Sequence, residues 1–179
     1  DYVGKGMNGG KIVIAPQFQG RGYSCAGNTC LYGATGGKFY VAGNVGERFC
    51  VRNSGATAVV EGTGDHACEY MTGGVVAILG NTGVNFGAGM TGGIAFVYDE
   101  SRDFIDKLNQ ELVIAERIDT DDMDEARHFL KRLLRTHINE TVSFKATHIL
   151  ENFRHAVRDF WMVRPKDMTK VPLNPEQGD

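Results

Sequence analysis

One histidine, His66, stands where a side chain could do acid–base chemistry. It follows Asp65 directly, in the string Gly64-Asp65-His66-Ala67-Cys68-Glu69-Tyr70. An imidazole beside a carboxylate suits a general base, because the carboxylate can orient the ring and stabilise its charge. The other four histidines belong to the C-terminal half and form no HExxH motif. We expect them to be solvated or hydrogen-bonded rather than metal-bound.

Charged and polar residues around His66 point to a second kind of chemistry, the recognition of a partner surface. They interrupt stretches that are otherwise rich in glycine, and they fit either solvated corners or one docking face. Isolated surface ion pairs contribute little to stability, whereas a stacked repeat presents one long side to a partner. The candidate interface residues are Glu47, Arg48, Arg52, Asn53, Asp65, His66, Glu69, Tyr70 and Asn85.

Two glycine motifs and the overall charge bear on cofactors and partners. G-x-G-x-x-G occurs at Gly4, Gly6, Gly9 and again at Gly87, Gly89, Gly92. A dinucleotide site needs a helix after the glycines, but an extended segment follows each motif here. The net charge of −3 gives no electrostatic reason to expect nucleic acid or an anionic membrane. We therefore expect no cofactor or metal in this chain, and no nucleic-acid or membrane partner.

The elements that position these residues follow a repeat of about 19 residues. Gly36, Gly55, Gly73 and Gly92 are separated by steps of 19, 18 and 19. A fixed period over four units predicts a stack of similar coils. Each coil carries one predicted strand, and the strands are Lys11–Ala15, Lys38–Ala42, Thr57–Glu61, Val75–Leu79 and Ile94–Tyr98. About eight residues inserted near Gln17–Ser24 form a loop that leaves the stack.

Aligned on this repeat, the strands form columns of side chains. Residues two apart in a strand share a face, so two columns point into a core and a third points outward. The inward columns are Ile12, Phe39, Ala58, Val76, Ala95 and Ile14, Val41, Val60, Ile78, Val97; the outward one is Lys11, Lys38, Thr57, Val75, Ile94. The outward column becomes more apolar along the stack, which predicts increasing cover. Cys50 and Cys68 share a column beside Leu31, where we expect buried free thiols.

The second half of the chain is helical in pattern. We divide the chain into a glycine-rich β-helix over residues 1–100 and a helical extension over 101–179 that packs on it. Apolar spacing predicts helices at Asp121–Ile138 and Ser143–Met162, joined as a hairpin with Ser143 as an N-cap. Leu112–Ala115 is a stray strand candidate. We expect the hairpin to cap the stack, because open strand edges promote aggregation.

Three strings carry a family resemblance. They are Gly46–Gly55 (GERFCVRNSG), Gly64–Gly74 (GDHACEYMTGG) and Thr82–Gly93 (TGVNFGAGMTGG). They resemble the C-terminal GXGXG domain of the glutamate synthase large subunit, over about residues 1–100. The resemblance implies a right-handed parallel β-helix, mainly β and built of single-stranded rungs. It also implies a domain that braces the catalytic domains and has no catalytic residue of its own.

The resemblance also implies the activity of the parent enzyme, while the cysteine usage makes the cytoplasm the default location. Glutamate synthases take the amide nitrogen of glutamine and use it to convert 2-oxoglutarate to glutamate, with FMN and an iron–sulfur cluster. The implied partners are the amidotransferase domain, the FMN-binding synthase domain and the small subunit. Three alternatives stay open: a separately encoded glutamate synthase subunit, a β-helix subunit of a formylmethanofuran dehydrogenase-like complex, and a β-helix acyltransferase using His66. Against the acyltransferase alternative, this sequence lacks the aliphatic residue at every sixth position that such enzymes show.

Overall fold

Five parallel strands, one in each coil, form the N-terminal half of the molecule. The computed structural model describes residues 1–19, 23–168 and 173. The strands are β1 (Asn8–Ile14), β2 (Gly36–Val41), β3 (Thr57–Val60), β4 (Thr72–Ile78) and β5 (Gly92–Tyr98), each paired in parallel with the next. This is the predicted β-solenoid, and every strand overlaps its predicted position.

The register of the strands confirms the first inward column. Ile12 pairs with Phe39, Phe39 with Ala58, Ala58 with Val76 and Val76 with Ala95. From β2 onward, both inward columns are buried in one apolar core inside the solenoid. The side-chain alternation of a strand therefore places the apolar residues inside, as the sequence predicts.

The outward column is covered progressively, also as predicted. Lys11 is exposed, whereas Thr57, Val75 and Ile94 keep only 3 %, 1 % and 2 % of their surface exposed. Val75 and Ile94 belong to a second apolar core between the outer face of the sheet and the C-terminal helices. The C-terminal half thus packs directly on the solenoid.

The C-terminal half contains both helices and strands. Its elements are α1 (Phe104–Lys107), β6 (Val113–Arg117), α2 (Asp124–Thr141), α3 (Phe144–Glu151), α4 (Phe153–Ala156) and β7 (Phe160–Pro165). The helices α2 and α3 form the predicted hairpin. Ser143 is the predicted N-cap of α3, since its hydroxyl accepts a hydrogen bond from the Ala146 N–H at 3.0 Å.

The predicted helix from Ser143 to Met162 is interrupted at Asn152, continues in short helical segments to Asp159, and is wrong only from Phe160 onward. Helix α3 ends at Glu151, and Phe160–Pro165 is the strand β7 instead. Strand β7 pairs antiparallel with β5 on one side and with β6 on the other. A helix at Phe160–Pro165 would leave the backbone groups along the edge of β5 without partners, whereas a strand pairs with them. This pairing outweighs the helical spacing of the apolar residues.

The expected cap at the end of the stack is also corrected. The last parallel strand, β5, is covered by β7, while α2 and α3 lie on the outer face of the sheet, against the second core. Edge protection comes from strand pairing, and the helices instead bury the apolar outward column.

Replacing Phe129 by alanine should lower the free energy of unfolding by about 3–5 kcal/mol. Phe129 is fully buried in the second core, where its ring stacks on Phe96 at a centroid distance of 6.2 Å. Phe144 belongs to the same hairpin but is 66 % exposed, so Phe144→Ala should change stability by at most about 0.5 kcal/mol. Urea unfolding of both variants measures the difference, and equal losses would contradict this account of the second core.

Candidate functional site

The candidate interface residues lie on turns with an unusual backbone. In each coil, three residues at alternate positions have positive φ, a backbone conformation that residues other than glycine rarely adopt. We call these segments the left-handed turns. Their positive-φ residues are Tyr2, Gly4, Gly6; Thr29, Leu31, Gly33; Arg48, Cys50, Arg52; His66, Cys68, Tyr70; and Asn85, Gly87, Gly89.

Hydrogen bonds between coils explain why this backbone is tolerated. The first and third residues of a turn donate to the following coil, as Arg48 N–H does to Asp65 O at 2.8 Å and Arg52 N–H to Glu69 O at 2.9 Å. The middle residue donates to the preceding coil, as Cys50 N–H does to Cys30 O at 3.0 Å. Each of the three middle turns is therefore tied to both neighbours, which offsets a strain of about 1–3 kcal/mol per residue.

The same geometry divides the side chains into inner and outer sets. The middle residues Leu31, Cys50 and Cys68 are fully buried in the inner core. The outer residues include Arg48 and Arg52, which are exposed. Because the coils are hydrogen-bonded in register, the outer side chains of successive turns lie side by side on one face.

His66 is tied into a polar network on this face. Its Nδ1 lies 2.5 Å from Oε1 of Glu69, which also accepts from Nδ2 of Asn85 at 3.0 Å. Asn109 Nδ2 then donates to Asn85 Oδ1 at 3.0 Å. This contact means that the ring is oriented by Glu69 rather than by the neighbouring Asp65. Asp65 instead accepts from the Val84 N–H at 2.8 Å.

Tyr70 and Glu47 complete the exposed part of the face. The Tyr70 side chain is 55 % exposed. Its ring lies over Gly89, where an added Cβ would come within 2.5 Å of a ring carbon. Glu47 is exposed at the preceding coil, and its N–H donates to the Asn28 side chain at 2.9 Å. Eight of the nine candidate residues are thus at least partly accessible.

Asn53 is the exception among the candidate residues. It is fully buried, and its amide is used within its own turn. Nδ2 donates to Ala56 O at 3.1 Å, while Oδ1 accepts from the N–H groups of Gly55 and Ala56 at 3.2 and 2.9 Å. A buried amide whose partners are all local cannot meet another surface, so Asn53 does not belong to the face.

The thiols behind the face are chemically quiet. All four cysteines are unpaired, as predicted for the Cys50–Cys68 column. Burial raises the pKa of Cys68 to about 12, and burial together with Cys68 and Cys30 raises the pKa of Cys50 well above 9.0. Nucleophilic cysteines need a lowered pKa. Neither thiol therefore supplies a nucleophile for His66.

Raising the pH from 9 towards 12 should destabilise the protein through Cys68. The unfolded thiol loses its proton near its ordinary pKa of 9.0, whereas the folded thiol keeps it up to about 12. The unfolded state thus binds fewer protons in this range, so the free energy of unfolding falls as pH rises. Urea unfolding at several pH values measures the slope. Cys68→Ala should give a shallower slope, and parallel slopes would refute the assignment.

A groove of about 490 Å³ is lined by Gly9, Gly10, Lys11, Gly37, Lys38, Gly55 and Thr57. Lys11 also forms an ion pair with Glu140.

Within the described residues, no three histidine, cysteine or acidic side chains come together to hold a metal ion, and no helix is long and apolar enough to cross a membrane.

Comparison with known proteins identifies the family of this chain. The model of the GXGXG motif family matches residues 1–166, almost the whole chain. The chain belongs to this family. Glycine occupies several positive-φ positions of the left-handed turns, among them Gly4 and Gly6 in the first coil and Gly87 and Gly89 in the last.

Curated relatives of this GXGXG chain are glutamate synthases. It is 53 % identical over 175 residues to a ferredoxin-dependent glutamate synthase of Pyropia yezoensis, and 50 % identical over 176 residues to ferredoxin-dependent glutamate synthase 2 of Synechocystis. It is 49 % identical over 175 residues to the NADH glutamate synthase of Schizosaccharomyces pombe. These matches cover 96 % of this chain but only 11 %, 11 % and 8 % of the relatives. The chain corresponds to a small part of each.

Proposed function

We propose that this chain is a non-catalytic structural module of glutamate synthase that braces the amidotransferase and FMN-binding synthase domains. The observation that carries the proposal is the match of nearly the whole chain to about a tenth of each glutamate synthase. The thiols nearest His66 support it, since Cys50 and Cys68 are fully buried and burial raises the pKa of both. FMN and the iron–sulfur cluster then belong to other parts of the enzyme.

The left-handed turns are the first contact surface of this module. Their outer side chains combine arginine and tyrosine, residue types enriched at protein interfaces, with carboxylates and amides that fix their orientation. A cytoplasmic location completes the proposal, because four unpaired cysteines are typical of a reducing compartment.

The proposal is tested by exchanging segments in the Synechocystis enzyme. Its matching segment is replaced by this chain, and glutamine-dependent glutamate formation is measured with ferredoxin as the reductant. We expect activity in the exchanged enzyme and none in the isolated chain. Adding the chain in trans to an enzyme truncated before the segment examines the separately encoded alternative. Turnover by the isolated chain would refute a purely structural role.

The contribution of the turns is tested by charge reversal in the same exchanged enzyme. Arg48→Glu with Arg52→Glu should reduce glutamate formation severalfold, because reversing two exposed charges at a docked surface disturbs electrostatic complementarity. The matched control is Arg154→Glu with Arg158→Glu, two exposed arginines outside the turns with the same change in charge. His66→Asn, which tolerates positive φ, should leave most activity. Complete loss of glutamate formation in the His66→Asn variant would favour catalysis by His66.

A further inference from the structure

Three exposed apolar residues lie at the place where Gln19 meets the turn between α2 and α3: Phe18 precedes Gln19, and Val142 and Phe144 are hydrogen-bonded to it. We call Phe18, Val142 and Phe144 the apolar corner. Their side chains are 72 %, 66 % and 66 % exposed, the highest values among the large hydrophobic residues in the described part of the chain. Single exposed apolar residues are common, but a group of them marks an interaction site.

Gln19 holds the corner together. Its Nε2 donates to the carbonyl oxygen of Val142 at 2.9 Å, and its Oε1 accepts from the N–H of Phe144 at 2.8 Å. One side chain thus fastens the inserted loop to a turn more than 120 residues away in sequence. A corner that is already ordered loses less conformational entropy when a partner binds.

The backbone of Val142 indicates that its side chain is used outside this fold. Val142 ends α2 with φ 55° and ψ 37°, and its N–H donates to Ile138 O at 2.8 Å. This is the position where helices prefer glycine or asparagine, and a β-branched residue there is strained. The valine is also exposed, so its burial offsets none of this strain within the chain.

We propose that the apolar corner docks onto an apolar surface of the glutamate synthase polypeptide outside this segment. The proposal rests on the proposed function, because a brace needs a second contact surface besides the polar left-handed turns. The binding surface is placed on the rest of the polypeptide because the segment makes up only 11 % of the length of the ferredoxin-dependent relatives. Most of such a polypeptide is therefore covalently attached to the corner and present at high effective concentration.

Photo-crosslinking in the segment-exchanged Synechocystis enzyme identifies the surface that contacts the apolar corner. A benzophenone amino acid replaces Phe144, and in a control enzyme it replaces Ile105, an exposed apolar residue of α1. We expect position 144 to crosslink to peptides of the same polypeptide outside the segment, several times more often than position 105. Crosslinks joining two copies of the segment, or equal yields from both positions, would overturn the proposal.

Val142→Asn separates docking from folding. Asparagine relieves the left-handed strain, so the melting temperature of the isolated chain should rise by about 2–4 °C. Combined with Phe144→Ser in the exchanged enzyme, the same change should speed limited proteolysis at the segment's boundaries at least tenfold, because cleavage tracks the undocked population. Ile105→Ser serves as the control.

The outcomes distinguish this inference from the proposed function. An exchanged enzyme without any activity counts against the proposed function itself. An active exchanged enzyme whose proteolysis is unchanged by Val142→Asn with Phe144→Ser leaves the proposed function standing and overturns the apolar corner as a docking site.

Discussion

Gly73→Ala should destabilise the protein by about 3 kcal/mol or more, at the upper end of the cost of overpacking. An added Cβ would lie 2.2 Å from the carbonyl oxygen of Ser54 and 3.0 Å from its carbonyl carbon. Both atoms are backbone of the preceding coil, so no side-chain rotation relieves the clash. The coils would have to separate and weaken inter-coil hydrogen bonds such as Thr72 N–H to Asn53 O, 2.9 Å long. Urea unfolding followed by circular dichroism measures the loss.

Gly9→Ala is the matched control for this prediction. Gly9 lies in β1 without a positive φ, and nothing lies within 4 Å of an added Cβ. Alanine there restricts the unfolded chain, so it should be neutral or stabilise the protein by about 0.4–1 kcal/mol. If the two variants unfolded at the same urea concentration, close approach of the coils could not be the reason for glycine at residue 73.

The same close approach explains why the sequence predicts the solenoid so well. The added Cβ would lie 2.2 Å from Thr35 O at Gly55 and 2.0 Å from Thr72 O at Gly92. The glycine period seen in the sequence is therefore the spacing at which one coil backbone meets the next. A steric requirement that recurs in every coil leaves a periodic signal, and strand register follows from that period without further information.

The left-handed turns leave a much weaker signal. Their middle column is Gly4, Leu31, Cys50, Cys68 and Gly87, so only the first and last coils show glycine at this position. Judged one residue at a time, Leu31 or Cys50 argues against positive φ. The hydrogen bonds to both neighbouring coils decide the conformation, and those partners are known only once the coils are stacked. Alignment of the glycines with the cysteine column is the signal that could have found it.

Strand β7 and Asn53 show two further limits of sequence reasoning. The apolar residues around Phe160 fit a helical period as well as a strand, and the deciding partner, the edge of β5, is more than 60 residues away, as in the pair Val97–Trp161. The polarity of Asn53 predicts a place on the exposed face, but its amide is satisfied by its own turn. In both cases the deciding contact is a hydrogen-bond partner that residue type alone does not reveal.

A chain that ends at Asp159 should aggregate, although it keeps α2 and α3. It loses β7, which pairs with Ala95, Phe96, Val97 and Tyr98 of β5 and with all of β6. It also loses the buried side chains of Phe160, Met162 and Val163. The freed β5 edge would be long and apolar, a template for pairing with other chains. Size-exclusion chromatography and sedimentation of the refolded chain measure the outcome.

The matched control ends at Met168 and retains β7 entirely. If strand pairing protects the end of the solenoid, this chain should stay monomeric under conditions in which the chain ending at Asp159 precipitates. If the helical hairpin were the cap, both chains should remain monomeric, since both contain α2 and α3. The comparison thus separates the two ways of closing a β-solenoid. Burial of the outward column by the helices stabilises the sheet, but only a paired strand satisfies the backbone groups along its edge.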